Sequence, residues 1–205
     1  EEFNPESPLY LNVIISPSED KLLYRMITLN NGQKPMTPRH QIEILTQEIF
    51  NFDEVDIDVQ TEKERSNSII KGAFNLGDIS KAYLAFLTEN VNNDNNKIIG
   101  EKMDQIIIGR IMDKDPAEDD IEFKSVLEVI AKLCVNNKVK AWLKLSNNLI
   151  GFCVGIKESY DVISVEDPGH FCESIILFDE AFKAINPSKV NLGRYRRELS
   201  ASFIK

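Results

Sequence analysis

The sequence predicts a mainly α protein: a multi-helix domain with one N-terminal strand, which is expected to complete a sheet supplied by a missing segment or a partner. Three observations predict this. Apolar residues recur at three- and four-residue spacing over most of the chain. The breaks between those stretches are short and rich in Asn, Asp or Pro, as at 92 to 96 and 113 to 120. Near the start, "LYLNVIIS" (9 to 16) is a β-branched apolar run of strand length. One strand cannot satisfy its own backbone donors and acceptors, and the rest of the chain offers only weak pairing candidates such as "YDVISV" at 160 to 165.

Residues 1 to 8 read as an extended lead-in with two prolines. After the strand, Ser16, Pro17, Ser18, Glu19 and Asp20 supply a cap, a proline and acids suited to a helix start. That helix carries Leu22, Leu23, Met26, Ile27 and Leu29. Gly32 is placed to end it and Pro35 prevents its continuation. Thr37 and Pro38 restart the chain as cap and first helical residue, followed by an apolar face of Ile42, Ile44, Leu45 and Ile49.

The acidic stretch 51 to 67 reads as an irregular connection, overlapping a helical pattern at 61 to 73. Further helices are expected at 78 to 91, 97 to 112, 121 to 136, 138 to 157, 168 to 185 and 188 to 204. Gly100, Gly109, Gly151 and Gly155 are weak points in them, since a helical glycine costs up to ~1 kcal/mol relative to alanine. The expected domains are 1–50 and 51–205.

Composition narrows the function classes. The 205 residues include 42% hydrophobic and 28% charged residues, ordinary for a globular chain able to bury a core. No apolar run approaches the ~20 residues of a membrane span. The chain begins at Glu1 with no basic-then-apolar leader pattern, so a cytoplasmic protein is expected, possible processing aside. Cys134, Cys153 and Cys172 lack metal-ligand spacing and read as buried reduced thiols. A net charge of -9 argues against general attraction to polyanions, so any DNA contact must be local.

The segment "MITLNNGQKPMTPRHQIE" carries a family resemblance. Leu29, Asn30, Asn31, Gly32, Gln33, Pro35, Met36 and Thr37, then Gln41 and Glu43, resemble the stretch following the catalytic core in DGQHR-type and related ParB-like proteins, which include GmrSD-type restriction enzymes and DndB regulators of DNA modification. The resemblance covers residues 9 to 50 and implies a bacterial DNA-processing or phage-defence protein. It also implies that the turn braces an active-site sheet. The family's upstream Asp-Gly-x-x-Arg signature has no counterpart here, so catalysis is expected from an N-terminal segment or another subunit. The sequence identifies no cofactor.

Read from the residues, the turn of Asn30, Asn31, Gly32, Gln33, Lys34 and Thr37 is either a capped helix connector or a phosphate site at a helix N-terminus. Arg194, Tyr195, Arg196 and Arg197 form the one local cluster suited to nucleic acid, or else pair with acids on a neighbouring helix. His40 and His170 read as capping or surface residues, the pairs Asp56/Asp58 and Asp119/Asp120 as solvated loops, and Trp142 as core; no metal site is expected. The leading expectation is a helical C-terminal portion of a DGQHR/ParB-like protein that braces the catalytic core and binds DNA or a partner. The alternatives are a non-enzymatic helical adaptor and a metal-dependent nuclease subunit.

Overall fold

Proline at a first helical position needs no backbone partner for its nitrogen, and the first described helix, α1 (Pro38–Ile49), starts on one. The computed structural model describes residues 38–61, 64, 72–92, 118–157, 159, 168–185 and 193–205, with isolated positions 13, 15 and 22. The chain divides into two compact units, 1–36 and 37–205. In the first unit only Val13 and Ile15, which are not in a strand, and Leu22, which is helical, are described. The rest of the expected strand and first helix, and the whole turn from Asn30 to Thr37, lie outside the described residues, as do 97 to 112 and 160 to 165.

In the second unit, α1 buries Ile42 and Thr46, whose hydroxyl donates to the Ile42 carbonyl at 2.6 Å. It packs on α2 (Leu76–Thr88). Between them the chain turns at 52–56, with Asp56 at a left-handed φ of 54°. It then forms a two-stranded parallel sheet, β1 (Val59–Gln60) and β2 (Phe74–Asn75), with Val59 opposite Phe74 and Gln60 opposite Asn75.

This sheet replaces part of the irregular connection read from the sequence. Val55 and Ile57 are buried while Asp56 and Asp58 are exposed, an alternation that the acids conceal when only composition is weighed. Thr61 and Glu64 form a reciprocal capping box: the Thr61 N–H donates to the Glu64 carboxylate at 2.9 Å, and the Glu64 N–H to the Thr61 hydroxyl at 3.2 Å. Gly72, at φ 119°, turns the chain into β2 with a backbone that a side chain would oppose.

Helix α2 is buried on nearly all sides and ends at Glu89, a left-handed cap whose N–H reaches the Ala85 and Phe86 carbonyls. The next helix, α3 (Glu118–Leu133), opens on three acids and closes on Lys132, matching its dipole at both ends. Phe50, Tyr83, Phe86 and Phe123 meet with ring centroids 5.0 to 5.3 Å apart across α1's end, α2 and α3. Each such pair adds about 0.5–1.5 kcal/mol to the burial itself. The Tyr83 hydroxyl donates to the carboxylate of Asp120, tying α2 to α3 inside this cluster.

The helix expected at 138 to 157 is two helices, α4 (Asn137–Leu143) and α5 (Ser146–Ile156). Leu145 is extended at the break, and the Trp142 carbonyl accepts from the Leu145 N–H at 3.2 Å and from the Asn148 side chain at 2.8 Å. Apolar periodicity continues across this joint and hides the mark that the polar run Ser146, Asn147 and Asn148 leaves in the sequence. Two further helices are described, α6 (Pro168–Ile185), with the bounds expected, and α7 (Gly193–Ile204); positions 188 to 192 of the helix expected there lie outside the described residues.

Against α7, Gly151 and Gly155 of α5 allow unusually close approach. A Cβ on either would fall 2.6 Å from a backbone carbonyl oxygen, that of Arg197 for the first and of Ala201 for the second. The glycines that weaken α5 by propensity are the ones that let α7 dock.

Candidate functional site

The arginine cluster expected to meet nucleic acid does not form one outward face. Residues four apart on a helix share a side, and Arg196, Ser200 and Ile204 are the buried residues of α7. Arg196 is 7% exposed. Its Nε donates to Asn148 Oδ1 at 2.5 Å, its Nη2 to Asp179 Oδ1 at 3.0 Å, and its guanidinium lies 5.0 Å from the Phe182 ring centroid. Because Asn148 also holds the Trp142 carbonyl, and Asp179 also pairs with Lys183, the network joins α4, α5, α6 and α7.

Arg197 is half-buried and donates to Asn147 Oδ1 at 2.7 Å and to the Val91 carbonyl at 3.2 Å. Arg194 is exposed and pairs with Glu198 at 3.0 Å on its own helix. Asn92 and Arg194 together hold the Glu198 carboxyl below its ordinary range. Tyr195 is exposed, with its ring 6.2 Å from that of Phe182. All three guanidiniums therefore engage groups of the protein itself.

The other sequence candidates are dispersed. His170 is exposed near the start of α6, with Cys172 buried and Glu173 exposed. His40 lies in α1, its side chain outside the described residues. Asp119 faces Lys157 at 3.5 Å while its neighbour Asp120 is held by Tyr83, so the two carboxylates serve different contacts. Among the described residues no group of three or more His, Cys, Asp or Glu side chains is placed to hold a metal ion.

The three thiols are unpaired. Burial pushes Cys134 up to about 11 and Cys153 and Cys172 upward as well, which disfavours their nucleophilic form. Trp142 is buried, as expected of a core residue. No described helix is long and apolar enough to cross a membrane.

Among the described residues, Lys157 makes the densest ionic contact. Its ammonium lies 3.1 Å from Glu89, 3.5 Å from Asp119 and 3.3 Å from the Phe86 carbonyl, and 4.7 Å from the Phe86 ring centroid. Burial acts to lower its pKa, but the two carboxylates outweigh this and raise it. The contact closes the C-terminal end of α2 onto α3 and α5.

Among the openings that the described residues line are the following two. One, of about 320 Å³, lies between α4 and α6 with Trp142, Leu145 and Ile176 in its walls and Lys138, Glu180 and Lys183 among its polar groups. The larger, about 550 Å³, runs beside β1 along residues 57 to 61, with Phe50 and Phe52 in its lining and carboxylates from Asp53, Asp58 and Glu64. Sequence reading passed over this cleft. Its available signals were the alternation from Val55 to Val59 and the Thr61/Glu64 capping spacing.

No protein-family model, curated protein or solved structure matches this chain. The fold defines its class directly: a mainly helical protein whose second unit carries a small parallel sheet.

Proposed function

We propose that this chain is a helical support and protein-binding module of a DGQHR/ParB-like DNA-processing protein. It braces the catalytic part and engages a partner protein, with catalysis supplied elsewhere. The observation that supports protein over DNA as the partner is the inward engagement of Arg196 and Arg197, with Arg194 paired on its own helix. A net charge of -9 acts in the same direction by repelling phosphate. The family assignment itself rests on the residues around Asn30 to Glu43.

The test is a titration of a labelled DNA duplex and a labelled single strand at salt concentrations from about 50 to 200 mM, followed by anisotropy. The expected dissociation constants are no tighter than the non-specific range of about 10⁻⁴–10⁻⁶ M. Tighter binding, weakened and made less salt-dependent by joint replacement of Arg194, Arg196 and Arg197 with alanine in a folded variant, would return the cluster to a DNA-contacting role.

A further inference from the structure

We infer that the outer edge of β1 accepts an extended, lysine- or arginine-bearing segment of a partner protein as a third strand. The inference rests on the reading of this chain as a protein-binding module and names the kind of partner.

The register provides the first argument. Phe74 N–H donates to the Asp58 carbonyl at 2.8 Å, and Val59 lies opposite Phe74 in a parallel ladder. In that geometry Asp58 and Gln60 direct their bonding groups toward β2, while the Val59 N–H and C=O point to the other side. Among the described residues neither Val59 group has a partner. A two-stranded sheet is the smallest there is, and an open edge is the template on which strand addition occurs.

Space and charge provide the second. The cleft of about 550 Å³ follows residues 57 to 61, so it opens along the strand instead of over a single side chain. Phe52, half-buried at the cleft wall, offers an apolar contact for side chains of an incoming strand. Asp53 and Asp58 are exposed, line the cleft, and form no ion pair among the described residues. The Glu64 carboxylate is held by Thr61, and the neighbouring Glu54 by Lys124 at 2.8 Å. Two carboxylates without an ion pair among the described residues, beside an edge that no described residue pairs with, favour cations on the incoming strand and disfavour acidic segments.

The probe is a fluorescein-labelled alternating lysine–valine heptapeptide, with an alternating glutamate–valine heptapeptide as the charge control. Two further versions of the lysine peptide carry N-methyl groups on one or other alternating set of backbone amides. They keep the charge and lose the ability to pair as a strand. The expected result is saturable binding of the lysine peptide and about tenfold or greater weakening for the glutamate peptide and for one N-methylated version. On the protein side, Val59→Pro removes the outward N–H without touching the ladder to β2 and is expected to weaken binding similarly. Asp53→Asn with Asp58→Asn is expected to weaken it and flatten its salt dependence.

Equal binding of all the lysine peptides would reduce the contact to general charge attraction and overturn the inference. So would failure of the lysine peptide to bind. If Val59→Pro does not fold, the N-methylated peptides and the double aspartate variant still decide. Either overturning result, with DNA still unbound, removes the β1 edge and leaves the protein-binding role standing; DNA binding through the arginine cluster removes that role instead.

Discussion

The α5–α7 seam and the cleft beside β1 both belong to the 37–205 unit, and they solve opposite problems. At the seam, small residues bring two helices into backbone contact and Arg196 fastens the joint through Asn148 and Asp179. There is no spare room: an added methyl meets carbonyl oxygens at 2.6 Å. Beside β1, among the described residues, the backbone is paired with β2 alone, Asp53 and Asp58 are exposed, and a cleft of about 550 Å³ lies alongside. The comparison teaches where sequence change should be felt as lost stability and where it should be felt as lost binding.

The largest effect is expected from Arg196→Ala. It leaves Asn148 and Asp179 without their shared donor inside the bundle, and removing one partner of a buried pair costs about 3–5 kcal/mol. Asp179 keeps Lys183, so the lower end applies. Thermal unfolding should drop by roughly 6–12 °C, taking about 2–4 °C per kcal/mol at this size. An unchanged midpoint would mean that the arginine is not a fastening of the seam.

Gly151→Ala comes next and has a diagnostic sign. By helix propensity alone alanine would stabilise α5 by up to about 1 kcal/mol. By overpacking against the Arg197 carbonyl it should destabilise by about 1–3 kcal/mol. A lowered midpoint supports close packing; a raised one would show that α7 yields easily and that the contrast between the two regions is false.

Tyr83→Phe should cost about 1–3 kcal/mol, because the Asp120 carboxylate loses its hydroxyl donor within the aromatic cluster. Chemical denaturation should show a shifted midpoint with an unchanged slope. A smaller effect follows from Thr61→Ala at the edge of the open cleft, which removes one half of the capping box. The expected loss is about 1 kcal/mol or less, visible as faster amide exchange near Glu64.

The smallest effect is a pH dependence. Hydrogen bonds from the Thr61 backbone and hydroxyl hold the Glu64 carboxyl below its ordinary 4.5. Since the folded value is depressed, the stabilisation is present above pH 4.5 and is lost as pH falls through the folded value. The thermal midpoint of Glu64→Gln should therefore vary less steeply with pH below 4.5 than that of the unaltered protein. Parallel curves would place the acid sensitivity at Glu54 or Glu198, whose carboxyls are also depressed, by Lys124 and by Asn92 with Arg194.

Legibility followed local chemistry. The bounds of α6 were readable because Pro168 opens it and Asn186 and Pro187 follow it, and α1 was readable from Thr37 and Pro38. The break at Leu145 was masked by apolar spacing that runs past the polar Ser146, Asn147 and Asn148, and it is stabilised by the side chain of Asn148 reaching back to Trp142. The arginines were visible as a cluster, but the bonds that engage them come from Asn148 and Asp179, far away in the chain. The β1 cleft was hidden because acidic composition outweighed the alternation of Val55, Ile57 and Val59.

By itself the sequence determined that this protein is mainly helical, where most of its described helices lie, and that its charge opposes general attraction to nucleic acid. These are consequences of short-range spacing, capping and summed charge, which need no neighbour to act. Tertiary structure alone decided that Gly151 and Gly155 admit α7, that Arg196 turns inward, and that β1 pairs in parallel with β2 beside a cleft. Each of these depends on which distant residues come into contact, and a single helical or strand period carries no record of that.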